Sequence, residues 1–204
     1  MKKFITSLSL ALMLIFVFTN LTLAETTSDN VMVRTLTREQ AIQRISEIRN
    51  ISIKEASIKL NEIDQQSKKS TTYSQTNITP YAINSYQEYY SQKDLGMGFK
   101  VEVGALCGMA SGGGYTQFEK VIDKWSKAIG SGNYTWDAFY TEAIILNSGQ
   151  LSLRTRGNIE VTASQSLSTG FSAAGFEIGG SVGSNYYYRK TESISDTKTM
   201  SWYR

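Results

Sequence analysis

IEVTASQSLSTGFSAAGFEIGGSVGSNYYYRKTESISDTKTMSWYR, residues 159–204, alternates with a period of two. From Ile159 to Ala173 the odd positions read Ile, Val, Ala, Gln, Leu, Thr, Phe, Ala, and the even positions are mostly Ser, Thr and Gly, with Glu160 first. Side chains on a strand point to opposite faces in turn, so the pattern predicts a strand with one apolar and one hydroxyl face. A second arm, Tyr188–Trp202, places Thr191, Ser193, Ser195, Thr197, Thr199 and Ser201 on one face and Lys190, Glu192, Asp196 and Lys198 on the other. Both arms exceed the usual strand length of about 5–6 residues. Between them lies a glycine-rich middle. There the apolar register moves from odd to even positions near Ala174, which predicts a turn or a bulge.

Upstream, Met97 to Met109 also alternates and reads as a strand, with glycines on its second face allowing close approach. Ala138–Leu146 and Leu151–Arg156 predict a hairpin across Asn147-Ser148-Gly149-Gln150, with Gly157-Asn158 turning the chain again. Phe118, Val121, Ile122, Trp125 and Ile129 follow helical spacing, with Gly130 as the stop. The expected fold is α+β, mostly antiparallel β with long Ser/Thr-rich strands and one packed helix, preceded by a small helical hairpin.

The start of the chain carries an address. Lys2 and Lys3, the apolar run Leu8–Phe18 and the small residue Ala24 form a signal-peptide pattern over residues 1–24. Export to the extracellular space is the expectation, with about 180 residues left in the mature chain. The formal charge of +3 falls to +1 once Lys2 and Lys3 are removed. No basic excess remains for a nucleic-acid partner. The chain has one cysteine, Cys107, and no histidine. A disulfide framework, His-based triads and His-containing metal sites are therefore excluded. No cofactor is expected.

Composition changes near residue 80. All glycines lie at Gly96 or later, and the only proline is Pro80. In residues 25–66, Thr37…Gln40 and Ser52…Glu55 are capping boxes. Ile42, Ile45 and Ile48 mark one helix face, and Ile53, Ala56, Leu60 and Ile63 the next. This hairpin reads as a propeptide or a tethered module, followed by a Ser/Thr-rich linker at 67–81 and a β-rich domain at 82–204. A DNA-reading helix pair has the same outline, but the balanced charge argues against it.

Candidate sites follow from residue chemistry. Tyr186, Tyr187, Tyr188, Arg189 and Lys190, with Trp202 and Tyr203, are aromatic–basic clusters suited to a membrane interface or to sugar stacking. Alternating core and surface tyrosines give the same letters. Asp137, Glu142, Glu160 and Glu177 are the acids that a histidine-free hydrolase would pair, although no spacing enforces a pair. Cys107 shares a face with Val103, Ala105 and Met109, so it reads as an inert core thiol. Ser111-Gly112-Gly113-Gly114 precedes the expected helix, where an anion could be cradled, but lacks the GK[ST] ending. Gly175, Gly179 and Gly183 are spaced by four, yet Phe176, Ile178 and Val182 alternate as strand.

The two Ser/Thr-rich arms around a glycine-rich apolar middle resemble the membrane-inserting hairpin of aerolysin-like pore-forming toxins. The likeness is one of pattern over this tract. It implies that Phe171 to Val182, with Phe171, Phe176, Ile178 and Val182 foremost, is the inserting segment. The charged face of Tyr188–Trp202 opposes this, since each Lys at mid-bilayer costs about 2–4 kcal/mol. The expected function is a secreted, non-enzymatic β-rich protein acting at a cell surface or in the extracellular space, toxin-like or antimicrobial-like where membrane-active. The alternatives are a binding module for cell-wall polysaccharide and a carboxylate-dependent hydrolase. Its expected partner is a lipid membrane or a cell-wall polysaccharide, with homo-oligomers allowed by long open strand edges.

Overall fold

The computed structural model describes residues 31–69, 82–112, 114–162, 164, 172–182 and 185–200. The expected signal peptide, most of the expected linker, Phe171, Trp202 and Tyr203 lie outside these residues.

Among the described residues, two helices and eight antiparallel strands form an α+β fold dominated by β structure. Sheet A has the order β1-β2-β3-β4, with β1 Met32–Leu36, β2 Ser85–Asp94, β3 Lys100–Gly112 and β4 Tyr115–Ala128. Sheet B has the order β5-β6-β8-β7, with β5 Thr135–Asn147, β6 Gln150–Thr162, β7 Glu177–Val182 and β8 Asn185–Thr199. Helices α1 Arg38–Arg49 and α2 Ile53–Lys69 lie between β1 and β2 in the chain.

Both helices start where their capping boxes predict. Thr37 Oγ1 accepts from the Gln40 amide at 3.2 Å, and the Gln40 side chain accepts from the Thr37 amide at 2.8 Å. Ser52 and Glu55 repeat the exchange at 3.2 and 2.9 Å. Asn50, in the left-handed conformation at φ 51°, closes α1. Ile45, Ala56 and Leu60 turn inward as expected, with Ile42, Ile48 and Ile63 partly buried against the same cluster. Ala41 is buried beside them, whereas Ile53 at the start of α2 is 55% exposed.

Strand β3 is the centre of the molecule and is buried on both faces from Val101 to Ala110. Its odd face, Val101, Val103, Ala105, Cys107 and Met109, packs with Leu151, Leu153 and Ile194 of sheet B. Its even face meets the helices, where Leu106 joins Leu36, Ile45, Leu60, Ile122 and Trp125. The layers are thus helices, sheet A and sheet B. Close approach explains two glycines on the even face. A Cβ on Gly104 would lie 2.2 Å from the Trp125 ring, and one on Gly108 would lie 2.5 Å from Ile83.

The packed helix expected over Phe118–Ile129 is strand β4. Two bulges account for the mismatch. Ile122 and Glu119 have no partner in the β3–β4 register, so the inward side changes along the strand. Phe118 and Val121 face sheet B, while Ile122 and Trp125 face the helices. Positions 118, 121, 122 and 125 imitate a helix stripe but serve two different cores. Both packed helices come instead from the N-terminal hairpin, and α2 runs through Lys69 into the region read as linker.

The predicted β5–β6 hairpin is present, with the Gly149 amide donating to Asn147 Oδ1 at 2.9 Å. The turn expected at Gly157-Asn158 is absent, because β6 continues to Thr162. Gly157 serves close packing: its Cβ would lie 2.4 Å from the Asp137 carbonyl oxygen. In the C-terminal tract, Gly175 takes φ +80° in a turn before β7, and the β7–β8 register shifts between Ile178 and Gly180. The turn at Gly175 is what the register change near Ala174 predicts; the shift at Ile178 lies further on, within β7.

Candidate functional site

Two places carry charged or apolar groups in arrangements that packing alone does not require. The first is the interface of α1 with sheet A. A cleft of about 480 Å³ opens there, lined in part by Gln40, Gln43, Tyr90 and Gln92. Glu88, nearly fully buried, pairs with Arg44 at 2.5 Å and with Arg34. The Arg44 guanidinium also lies 4.5 Å over the Trp125 ring. The Trp125 indole donates to Glu102 at 2.9 Å, and Glu102 further accepts from Gln92 at 3.0 Å and pairs with Lys127 at 3.3 Å. Burial pushes the Glu102 carboxyl up, but these three donors outweigh it and hold the group below its ordinary value. The acids here have cationic or donor partners from the chain itself, as a docking cluster for α1 requires.

The second place is the outer face of sheet B. Its edge strand β5 carries two bulges, and the unpaired residues at them are Phe139 and Leu146. Both are large and apolar, 55% and 53% exposed, and Tyr140 and Ile144 are each 45% exposed. On a regular strand Tyr140, Ile144 and Leu146 share one face and Phe139 falls on the other, so it is the bulge at Phe139 that departs from simple alternation. Directly across on β6, Arg156 opposes Tyr140, Arg154 opposes Glu142 and Ser152 opposes Ile144. One strand further, Ser193, Ser195 and Thr197 of β8 continue the same rows.

The aromatic–basic cluster of the C-terminal tract lies on β8 beside β7. Tyr187, Tyr188, Arg189 and Lys190 are half-buried. Arg189 donates to Glu160 Oε1 at 3.0 and 2.7 Å and lies 5.3 Å over the Tyr187 ring. The Glu160 bond is the main reason its pKa is raised. Lys190 pairs with Glu192 at 2.7 Å. The basic groups of this cluster are thus engaged by acids of the same sheet. Tyr186 pairs through its backbone with Ser181, and Val182 with Asn185. Of the residues read as inserting, Phe176 packs edge-on to Phe99 at 6.1 Å, and Ile178 is 70% exposed. Met200, bonded to Gly149, is at the opposite end of β8, about 40 Å from Tyr188.

The charged face of β8 turns toward β2. Ser91 donates to Asp196, Lys93 pairs with Glu192 at 3.7 Å, and its Nζ donates to the Ser193 carbonyl at 3.0 Å. Asp137 and Glu142 lie on β5, Glu160 on β6 and Glu177 on β7. Glu160 and Glu177 stand directly opposite Arg189 on its two sides, so this cation lies between them, while Glu142 is further along the sheet opposite Arg154. Cys107 is buried and unpaired, and burial pushes its thiol up to about 12. The glycine run after Ser111 connects β3 to β4, so the helix N-terminus needed for an anion cradle is not formed there. The series Gly175, Gly179, Gly183 falls on a turn and a strand, with Gly183 outside the described residues.

The Glu88–Arg44–Trp125–Glu102 cluster could not be read from spacing, because its members come from four separated elements, α1, β2, β3 and β4. The β5 surface left a trace in the sequence. Phe139-Tyr140 and Ile144-Ile145-Leu146 put more apolar residues on the strand than one inward face can take. No described helix is long and apolar enough to cross a membrane. Comparison with protein-family models, curated proteins and solved structures finds no match.

Proposed function

We propose that this is a secreted, non-enzymatic protein that acts at a cell surface outside the cell, engaging that surface through the outer face of sheet B. The observation that carries the reading is the row of exposed apolar side chains on β5, Tyr140, Ile144 and Leu146 with Phe139 at a bulge beside them. Exposed apolar side chains gathered in one row mark interaction sites more often than scattered ones do. The signal-peptide pattern at residues 1–24 supplies the route to the exterior. Binding of the mature chain to intact cells, measured by pull-down, tests the reading. The double substitution Phe139→Ser, Leu146→Ser is expected to abolish it. Equal binding by both proteins would refute a role for this face.

A saccharide-binding reading draws on the cleft beneath α1, where Gln40, Gln43, Gln92 and Tyr90 offer amide and hydroxyl groups. It predicts retention on isolated cell-wall polysaccharide that Gln92→Ala weakens and the β5 double substitution leaves unchanged.

A further inference from the structure

We infer that the surface met by this face is an anionic phospholipid bilayer, docked peripherally and not spanned. The inference rests on the reading that the outer face of sheet B is the contact. Polarity changes in strand-sized steps across that face. The edge strand β5 presents Phe139, Tyr140, Ile144 and Leu146. The next strand presents exposed Arg154 and Arg156, and the one after it Ser193 and Ser195. Neighbouring strands are about 4.8 Å apart, so apolar, guanidinium and hydroxyl rows follow one another over about 10 Å. A bilayer surface has the same order: acyl chain, phosphate, water. With β5 lowermost, the apolar row enters the acyl boundary, the arginines reach phosphate depth and the hydroxyls stay hydrated. The acids on this face are Glu142, directly opposite Arg154, and, toward the far end of the sheet, Asp137 with Glu160 and Glu177, the last two flanking Arg189.

The same residues disfavour the competing occupants. Two bulges interrupt the ladder and bend β5, which blunts its edge against addition of a strand from a second copy. Sugar rings stack on aromatic faces, but Ile144 and Leu146 have none to offer, whereas hydrocarbon accepts both. Spanning is opposed by β8, whose Glu192 and Asp196 are bound to Lys93 and Ser91 of the facing sheet.

The test is flotation of the full mature chain with dye-loaded vesicles, either of phosphatidylcholine alone or of phosphatidylcholine with phosphatidylglycerol. Binding to the mixed vesicles without dye release is expected. Phe139→Ser with Leu146→Ser should weaken it by about tenfold or more, and Arg156→Gln by about fivefold on the mixed vesicles only. Near-UV circular dichroism verifies folding, and Ile144→Asn gives a second variant should the first fail to fold. Dye release would overturn peripheral docking, and unchanged binding by both apolar variants would overturn the assigned face. Absence of vesicle binding, with cell binding still lost in the double variant, would overturn the lipid assignment alone and leave the proposed function standing.

Discussion

Arg49 at the end of α1 and Asp123 on β4 are 74 positions apart in the chain and joined by two hydrogen bonds, 2.6 and 3.1 Å long. Asp123 is almost fully buried, while Arg49 remains part-exposed. The guanidinium therefore acts as a clamp at the edge of the helix–sheet interface, and it sits in the last turn of α1, where the helix dipole also favours a cation. Arg49→Ala leaves the carboxylate buried without its cation. A loss of about 2 kcal/mol in urea unfolding is expected, below the figure for fully buried pairs because Arg49 is partly solvated. An unchanged midpoint would show that water replaces the clamp.

Deletion of residues 31–69 tests how far sheet A depends on the helices. Leu106, Ile122 and Trp125 share one apolar cluster with Leu36, Ala41, Ile45, Ala56 and Leu60. The shortened protein is expected to bind a hydrophobic dye and to associate, as measured by light scattering. A monodisperse product with native near-UV circular dichroism would show that the sheets fold without their cover, as removal of a propeptide requires.

Acid stability depends in part on Glu102. Its carboxyl is held below the ordinary 4.5 in the folded protein. A group depressed in this way contributes stability above its unfolded value, and that contribution is lost as pH falls through the folded value. Urea stability is expected to drop below about pH 4.5, with Glu102→Gln flattening part of the slope. Glu39, Glu55 and Asp94 shift in the same direction. An identical slope in the variant would rule out this role for Glu102.

Gly104→Ala would bring a methyl group to 2.2 Å from the Trp125 ring. The ring is fixed by its bond to Glu102 and by Arg44 above it, so it cannot swing aside without breaking the cluster. A destabilisation of about 1–3 kcal/mol is expected, together with a shift in tryptophan fluorescence. A neutral substitution would mean that the ring has room that the structure does not provide.

Cys107 is expected to resist a thiol reagent at pH 8 in the folded state and to react at once in denaturant. Its thiol is pushed up to about 12 by burial among the core residues of β3. Rapid labelling of the native protein would show that β3 opens readily, since no thiolate is available otherwise.

Both capping boxes, the β5–β6 turn and the turn at Gly175 were legible because each is a short-range device. Thr37 reaches Gln40 and Asn147 holds Gly149 within a few residues, so neither depends on the rest of the fold. Strand β4 was illegible for a physical reason. Bulges at Glu119 and Ile122 move apolar residues from one face to the other, and the result has helical spacing. Gly157 misled in a similar way, since a glycine demanded by the nearby Asp137 carbonyl looks like a turn glycine. On β8, Arg189 and Lys190 read as available cations, but Glu160 and Glu192 engage them.

The sequence by itself determined the periods: two capped helices, long alternating strands, a core thiol on β3 and a signal-peptide pattern at the start. Alternation says which residues share a face, and capping says where a helix begins, because both are local. Only the tertiary structure decided which face meets which layer. It laid the helices over Trp125 through Arg44 and Arg49, turned the charges of β8 toward β2, and placed Phe139 and Leu146 at bulges on an open edge. Those outcomes depend on pairing between distant segments, and a one-residue shift in register reverses the face of every side chain beyond it.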